Sequence, residues 1–330
     1  MYEEYKDHCI EAYAAYLTDN KELLSCTSGG VATALSKKII DNGGYVAGVR
    51  YSDDFHSIQY DITNTIEGLE KFKGSKYAEV DKGTIYKDVK QLLDNNKTVL
   101  FFGLPCVVMA LKYFLKKDYP NLYTVELICH GPTDISVHRQ YIEYLEKRYK
   151  SSIIDFNVRK KEGKWLPPYL YAKFANGKIF KKPFYNTEYG YAFSNMAKPA
   201  CYHCKARGNN RTGDIMIGDF WGANKEDIFW NNNGISAVLV HTKKGSNLLK
   251  STKNLSLYKT HFEKIVSCNK NIITPRPVSR KKDIFKSRFL ETGLFKATNK
   301  TQTIYEKIIP YIKDFIPEFL KTLLKKICKR

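Results

Sequence analysis

Thr98-Val99-Leu100-Phe101-Phe102-Gly103-Leu104-Pro105-Cys106 is the stretch on which the reading of this chain turns. Its β-branched and aromatic run is that of a buried strand, and the Gly-Leu-Pro turn sets a cysteine at the strand's carboxyl end. A helix is expected over Val107 to Leu115. The pattern then recurs. Leu122 to Ile128 reads as a strand running into Cys129-His130-Gly131-Pro132, with a helix over Ser136 to Tyr149. Upstream, Ser28-Gly29-Gly30 precedes a helix from Val31 to Asp41 that stops at Asn42-Gly43-Gly44. Tyr45 to Tyr51 and Ser57 to Thr63 read as strands. Gly83 to Asn95 reads as a helix with Ile85, Val89, Leu92 and Leu93 on one face. This alternation predicts an α/β fold, with a mainly parallel sheet and flanking helices in the N-terminal half.

The character changes after Lys150. Ile153 to Arg159, Tyr169 to Phe174 and Lys178 to Lys182 read as antiparallel strands, the last two joined by Asn176-Gly177, a strong hairpin signal. Cys201 and Cys204 follow in a loop rich in Gly, Asn and Pro. Asp214 to Gly222 reads as a strand leaving into an acidic-aromatic turn, and Ala237 to His241 as a last strand. The C-terminal half is thus expected to be mixed α+β. From about Thr301, Ile304, Ile308, Ile312, Phe315, Phe319, Leu323 and Ile327 keep helical spacing, with Pro310 and Pro317 as kinks. Residues 296–330 hold nine Lys+Arg and three Asp+Glu, a basic amphipathic helical tail. Such a tail either docks on its own domain or a partner, or lies on an anionic membrane through residues 301–330.

With 330 residues, 43% apolar and 14% aromatic, the chain can bury a sizeable core. The polar start Met1 to Asp7 carries no secretory signal, and no uncharged apolar window is long enough to span a bilayer. A cytoplasmic location is expected, with peripheral contact at the inner face of the membrane if the tail binds lipid. Cysteines stay reduced there, so the eight read as ligands or core thiols. The net charge of +20 favours an anionic partner. No recognition helix, zinc finger or RNA-binding signature accompanies it, which argues against nucleic acid.

Cys106 and Cys129 each end a strand, where parallel sheets gather ligands, and Cys201 with Cys204 form a Cys-x-x-Cys. Four such thiolates suit a 4Fe-4S cluster or a zinc ion. Only one pair is local, which favours the cluster. Lys205, Arg207 and Arg211 follow closely, and positive charge stabilises an anionic cluster. Cys9, Cys26, Cys268 and Cys328 fit no ligand pattern.

Six motifs stand in order: Ser28-Gly29-Gly30-Val31-Ala32-Thr33, Phe72-Lys73-Gly74-Ser75-Lys76-Tyr77, Gly103-Leu104-Pro105-Cys106, Ile128-Cys129-His130-Gly131, Cys201-Tyr202-His203-Cys204 and Gly218-Asp219-Phe220-Trp221-Gly222. Together they make the chain resemble the beta subunit of coenzyme F-420-reducing hydrogenases and dehydrogenases, over roughly Ala12 to Leu249. The resemblance implies an oxidoreductase holding FAD and a 4Fe-4S cluster, with Cys106, Cys129, Cys201 and Cys204 as the metal ligands. It implies that Ser28, Gly29, Gly30 and Thr33 face the flavin, with Ser75, Lys76, Tyr77, Asp219 and Trp221 as further cofactor contacts. It divides the chain into a flavin-associated region (12–103), a cluster-binding region (104–295) and the tail (296–330). A ferredoxin-like carrier and a phosphate-bearing substrate are the implied partners, with coenzyme F-420 or a biosynthetic intermediate as hydride acceptor or donor. Two departures stand out. The ferredoxin-like N-terminal domain of many relatives is missing, so a single cluster and an external carrier are expected. Val107 follows Cys106 where relatives usually carry Gln. The rival reading is a zinc-stabilised basic protein that binds nucleic acid or anionic lipid.

Overall fold

The computed structural model describes residues 5–6, 8–304 and 306–307. In chain order the strands are β1 (Glu11–Leu17), β2 (Tyr45–Tyr51), β3 (Ile58–Thr63), β4 (Val99–Gly103), β5 (Leu122–Leu127), β6 (Ile153–Lys160), β7 (Tyr169–Phe174), β8 (Ile179–Pro183), β9 (Ile215–Asp219), β10 (Ser236–Val240) and β11 (Leu255–Lys259). Eight of them form one sheet in the order β11-β1-β10-β9-β5-β4-β2-β3, and β6-β7-β8 form a second. Ten α-helices accompany them among the described residues.

The large sheet bears out in part the expectation of a mainly parallel sheet in the N-terminal half. Its centre, β9-β5-β4-β2, is parallel, but both flanks are antiparallel. The physical reason is connection length. β2 and β3 are joined by the short turn Ser52–Ser57, closed by Ser52 N–H donating to the Ser57 carbonyl at 2.9 Å. Only an antiparallel pair can close so tightly. The sheet takes strands from both sides of residue 103, and β9 from the second half pairs with β5.

The central strands are buried on both faces, as their continuous apolar runs require. Leu100, Val46 and Val125 pack with Val31, Leu35 and Ile39 of helix Val31–Asp41. Val99 and Phe101 pack oppositely, with Val108 and Leu111 of helix Pro105–Leu115 and Val89 of helix Ile85–Asp94. Ala14, Met216 and Leu239 receive Phe262 and Ile265 of helix Phe262–Cys268. The small sheet forms its own core. Phe156, Leu170, Ala172 and Phe174 pack with Val137 and Tyr141 of helix Ile135–Tyr149, Tyr189 and Phe193 of helix Glu188–Asn195, and Phe285 and Phe289 of helix Lys282–Thr301. The hairpin forms at Asn176-Gly177, where Gly177 takes φ +81°, a conformation that favours glycine.

Helix Lys282–Thr301 is interrupted at Gly293. The tail positions Ile308 to Ile327 and the expected membrane contact through them lie outside those residues. Among the described residues no helix is long and apolar enough to cross a membrane.

Candidate functional site

Because β2, β4, β5 and β9 run the same way, their carboxyl ends share one rim. Cys106 sits in the first turn of helix Pro105–Leu115, directly after β4. Cys129 lies two residues beyond β5. Gly131, at φ +93°, turns the chain there, and its N–H donates to Cys129 Sγ at 3.2 Å. A Cβ on Gly131 would stand 3.2 Å from Cys201 Sγ, so glycine is what lets the Cys-x-x-Cys turn approach the β5 loop. The thiols act on one another electrostatically: Cys106 with Cys204, Cys129 with Cys106 and Cys201, and Cys201 with Cys106 and Cys204. Burial pushes Cys129 up to about 11. Cys106 and Cys201 also rise, from burial first and neighbouring thiols second. Uncharged at neutral pH, these thiols would have to lose their protons to a metal. Among the described residues no three His, Cys, Asp or Glu side chains are gathered closely enough to hold a single metal ion.

Two guanidiniums are buried beside this rim, Arg207 at 7% exposure and Arg276 at 4%. Arg207 donates to the carbonyls of Asn271 and, at 3.5 Å, Cys129. Its Nε has no hydrogen-bond partner among the described residues. Arg211, expected from sequence to serve the cluster, is instead neutralised by the fully buried Glu126 at 3.2 Å. Glu126 also accepts from the backbone N–H groups of Thr212 and Gly213. Lys205 is exposed. His130, beside Cys129, is depressed to about 4 by burial and by Arg276 and Arg207, so it stays neutral. It bonds Asn271 through Nδ1.

A second cluster centres on Asp219, at the end of β9. Its carboxylate accepts from Ser28 Oγ at 2.6 Å, from Trp165 Nε1 at 3.1 Å and from Arg159, with which it forms a buried ion pair. Burial alone would raise the Asp219 pKa. Arg159 and the hydrogen bonds overcome it, and the net shift is downward. Trp221 stacks on the buried Trp165 with ring centres 5.7 Å apart and remains 43% exposed, presenting one aromatic face. Lys161 Nζ donates to the carbonyls of Ser28 at 2.6 Å and Leu23 at 2.8 Å. Arg159, Lys161, Trp165 and Arg276 were not singled out from sequence. Lone residues far from any motif give no local signal.

The other expected cofactor contacts are occupied internally. Gly29 N–H donates to Ser236 Oγ at 2.9 Å, and a Cβ there would lie 2.0 Å from the Ala15 carbonyl. A Cβ on Gly30 would lie 2.4 Å from Cδ1 of the Leu17 side chain. These glycines admit β1 and β10 rather than leaving an open cradle. Gly29→Ala is expected to cost about 3 kcal/mol or more, read as a lower urea midpoint. The Thr33 hydroxyl meets Cys26 Sγ at 3.2 Å. Lys76 Nζ donates to the carbonyls of Phe72, Lys73 and Gly74 at 2.9, 2.8 and 3.1 Å. Burial lowers Lys76 to about 7, while this ring of carbonyls favours its charged form. The Ser75 carbonyl faces the Tyr51 hydroxyl at 3.5 Å. Tyr77 stacks on Phe193 with ring centres 4.3 Å apart. Four cysteine sulfurs are the soft donors that an iron–sulfur cluster takes, although no three of them are gathered around a single ion among the described residues. On the flavin side the Trp221 platform fits a planar ring, and the glycine cradle does not.

The family model that describes the C-terminal part of the coenzyme F420 hydrogenase/dehydrogenase beta chain matches residues 96–263. Among the solved structures that match is a chain of the F420-reducing [NiFe] hydrogenase complex from Methanosarcina barkeri. It has 17% identity and a TM-score of 0.53, with 88% of this chain and 91% of that chain covered. No curated protein matches.

Proposed function

From the premise that this chain belongs to the coenzyme F420 hydrogenase/dehydrogenase beta-subunit family, we propose that it is an iron–sulfur and FAD-dependent oxidoreductase. The observation that carries the reading is that four cysteines from three separate segments lie within one another's electrostatic reach at one rim, beside two buried guanidiniums. Cys106, Cys129, Cys201 and Cys204 would hold a 4Fe-4S cluster. Their separation in sequence is supported by strand geometry and by the room that Gly131 leaves for Cys201. FAD, when bound, would convert one-electron delivery into hydride transfer. The exposed face of Trp221 would support its ring. Asp219 would hold that indole's partner, Trp165, through its Nε1, and Arg159, paired with Asp219, lies 5.8 Å from the centre of the Trp221 ring.

The carrier on the cluster side would be a ferredoxin-like protein or a partner subunit, since the similar chain belongs to a complex. On the hydride side the family's name points to a 5-deazaflavin, with a phosphate-bearing biosynthetic intermediate as the other candidate. The platform proposed for the flavin, Trp221 on Trp165, lies after residue 103, so the flavin and cluster roles do not divide there. Protein purified without oxygen is expected to release FAD on denaturation, and Trp221→Ala to weaken FAD retention at least ~10-fold. Absence of flavin from the oxygen-free protein would overturn the flavin half of the proposal.

A further inference from the structure

Arg276 lies between helices Phe262–Cys268 and Lys282–Thr301, outside the matched residues 96–263. It is 4% exposed. It donates to the carbonyls of Phe193 at 2.8 Å, of Ser194, and of His130 at 3.3 Å. No salt bridge among the described residues includes it. Its guanidinium also lies over the Phe193 ring, 5.8 Å from the centre; carbonyls and a ring face supply partial charge where a full anion is needed, so the buried cation is poorly compensated. Phe193 and Ser194 belong to the last turn of helix Glu188–Asn195, whose end is partially negative. The thiols that face Arg276 are Cys201 and Cys129, together with the phenols of Tyr202 and Tyr185. Arg207 also faces Cys129 and Cys201. Two fixed cations thus converge where thiolates would stand. The same Arg276 ties the Cys129 loop to Phe193, whose ring stacks on Tyr77 at 4.3 Å.

We infer that Arg276 is a built-in countercharge for the cysteine rim, a positioning residue that raises the potential at which a cluster held there takes up its electron. This rests on the reading of the four cysteines as cluster ligands. One electron delivered by the external carrier would make a cluster held there, with its thiolates, more negative by one charge, and no proton need move. A cation fixed nearby stabilises that reduced form more than the oxidised one.

The test uses the full chain reconstituted with iron and sulfide, comparing wild type with Arg276→Gln and Arg276→Lys. Gln keeps N–H donors for the carbonyls but removes the charge, and Lys keeps the charge. Iron content and the midpoint potential, followed by electron paramagnetic resonance, are the readouts. The expected result is a lower potential in Arg276→Gln at full iron content, with Arg276→Lys close to wild type. A fully loaded Arg276→Gln at the wild-type potential overturns the inference. Loss of iron in Gln but not in Lys supports it, whereas loss in both makes Arg276 a shape clamp alone and overturns it. If Arg276→Gln does not fold, Arg207→Gln reads the second cation, and an unchanged potential there counts against the countercharge. A wild-type chain that takes up no iron fails at the earlier step, and that defeats the ligand reading itself.

Discussion

Cys129→Ser is expected to strip iron and sulfide from the protein, lowering iron per chain at least ~10-fold while the fold survives. The cysteine stands on the loop after β5, where its sulfur accepts from Gly131 N–H and lies within the field of two other thiols. Serine keeps the size and offers a hard oxygen in place of a soft thiolate, a poor exchange for iron. Two internal controls make the result specific. Cys26 is buried against Thr33, and Cys268 is exposed beside Gly222. Serine at either should leave iron content unchanged. Loading should also depend on pH. Burial holds the Cys129 thiol up at about 11, so it is protonated at neutral pH and must release its proton to bind metal. Iron uptake is therefore expected to strengthen as pH rises from about 6 to about 8, measured by equilibrium reconstitution at fixed iron and sulfide.

Asp219→Ala is expected to destabilise the fold by about 3–5 kcal/mol, because it strands the Arg159 guanidinium in the interior without its anion. It also removes the acceptor for Trp165 Nε1 and Ser28 Oγ, so the stack beneath Trp221 loses its anchor. Asp219→Asn keeps an acceptor for those groups and should cost less. The pH dependence has a definite sign. The folded pKa of Asp219 lies below the usual carboxylate value. Its contribution is complete above the unfolded pKa, near 4, and is lost as pH falls through the folded value. Urea titrations should show the gap between wild type and Asp219→Ala at pH 7 and a narrower gap below about pH 3. An equal gap at both would mean that the charge of Asp219 is not what holds Arg159.

The parts of this protein that were legible in its sequence carried a local period. Val31–Asp41, Tyr45–Tyr51 and Tyr169–Phe174 form where the spacing placed them, because cap residues and apolar alternation act within a few residues. β1 was not legible. Its Glu-Ala-Tyr-Ala-Ala-Tyr-Leu has no strong strand preference and becomes a strand only between β10 and β11. The antiparallel flank built from β1, β10 and β11 was missed for the same reason, since its partners are distant in sequence, whereas β3 turns back on β2 through the short loop Ser52–Ser57. At the site, the cysteines announced themselves by strand ends and by Cys-x-x-Cys. Arg276 and Arg159 gave no such sign, because their meaning is the company they keep after folding. Gly29 and Gly30 mislead in the opposite direction. A glycine pair before a helix suggests a bound phosphate, yet here the missing side chains make room for the protein's own atoms, backbone at Gly29 and the Leu17 side chain at Gly30.

The most direct test of the central claim is iron, sulfide and zinc analysis of protein purified without oxygen, together with the electron paramagnetic resonance spectrum after reduction. Cluster ligation by Cys106, Cys129, Cys201 and Cys204 predicts about four iron and four sulfide per chain and a signal that appears on one-electron reduction. Stoichiometric zinc, with neither sulfide nor a reducible signal, would contradict it.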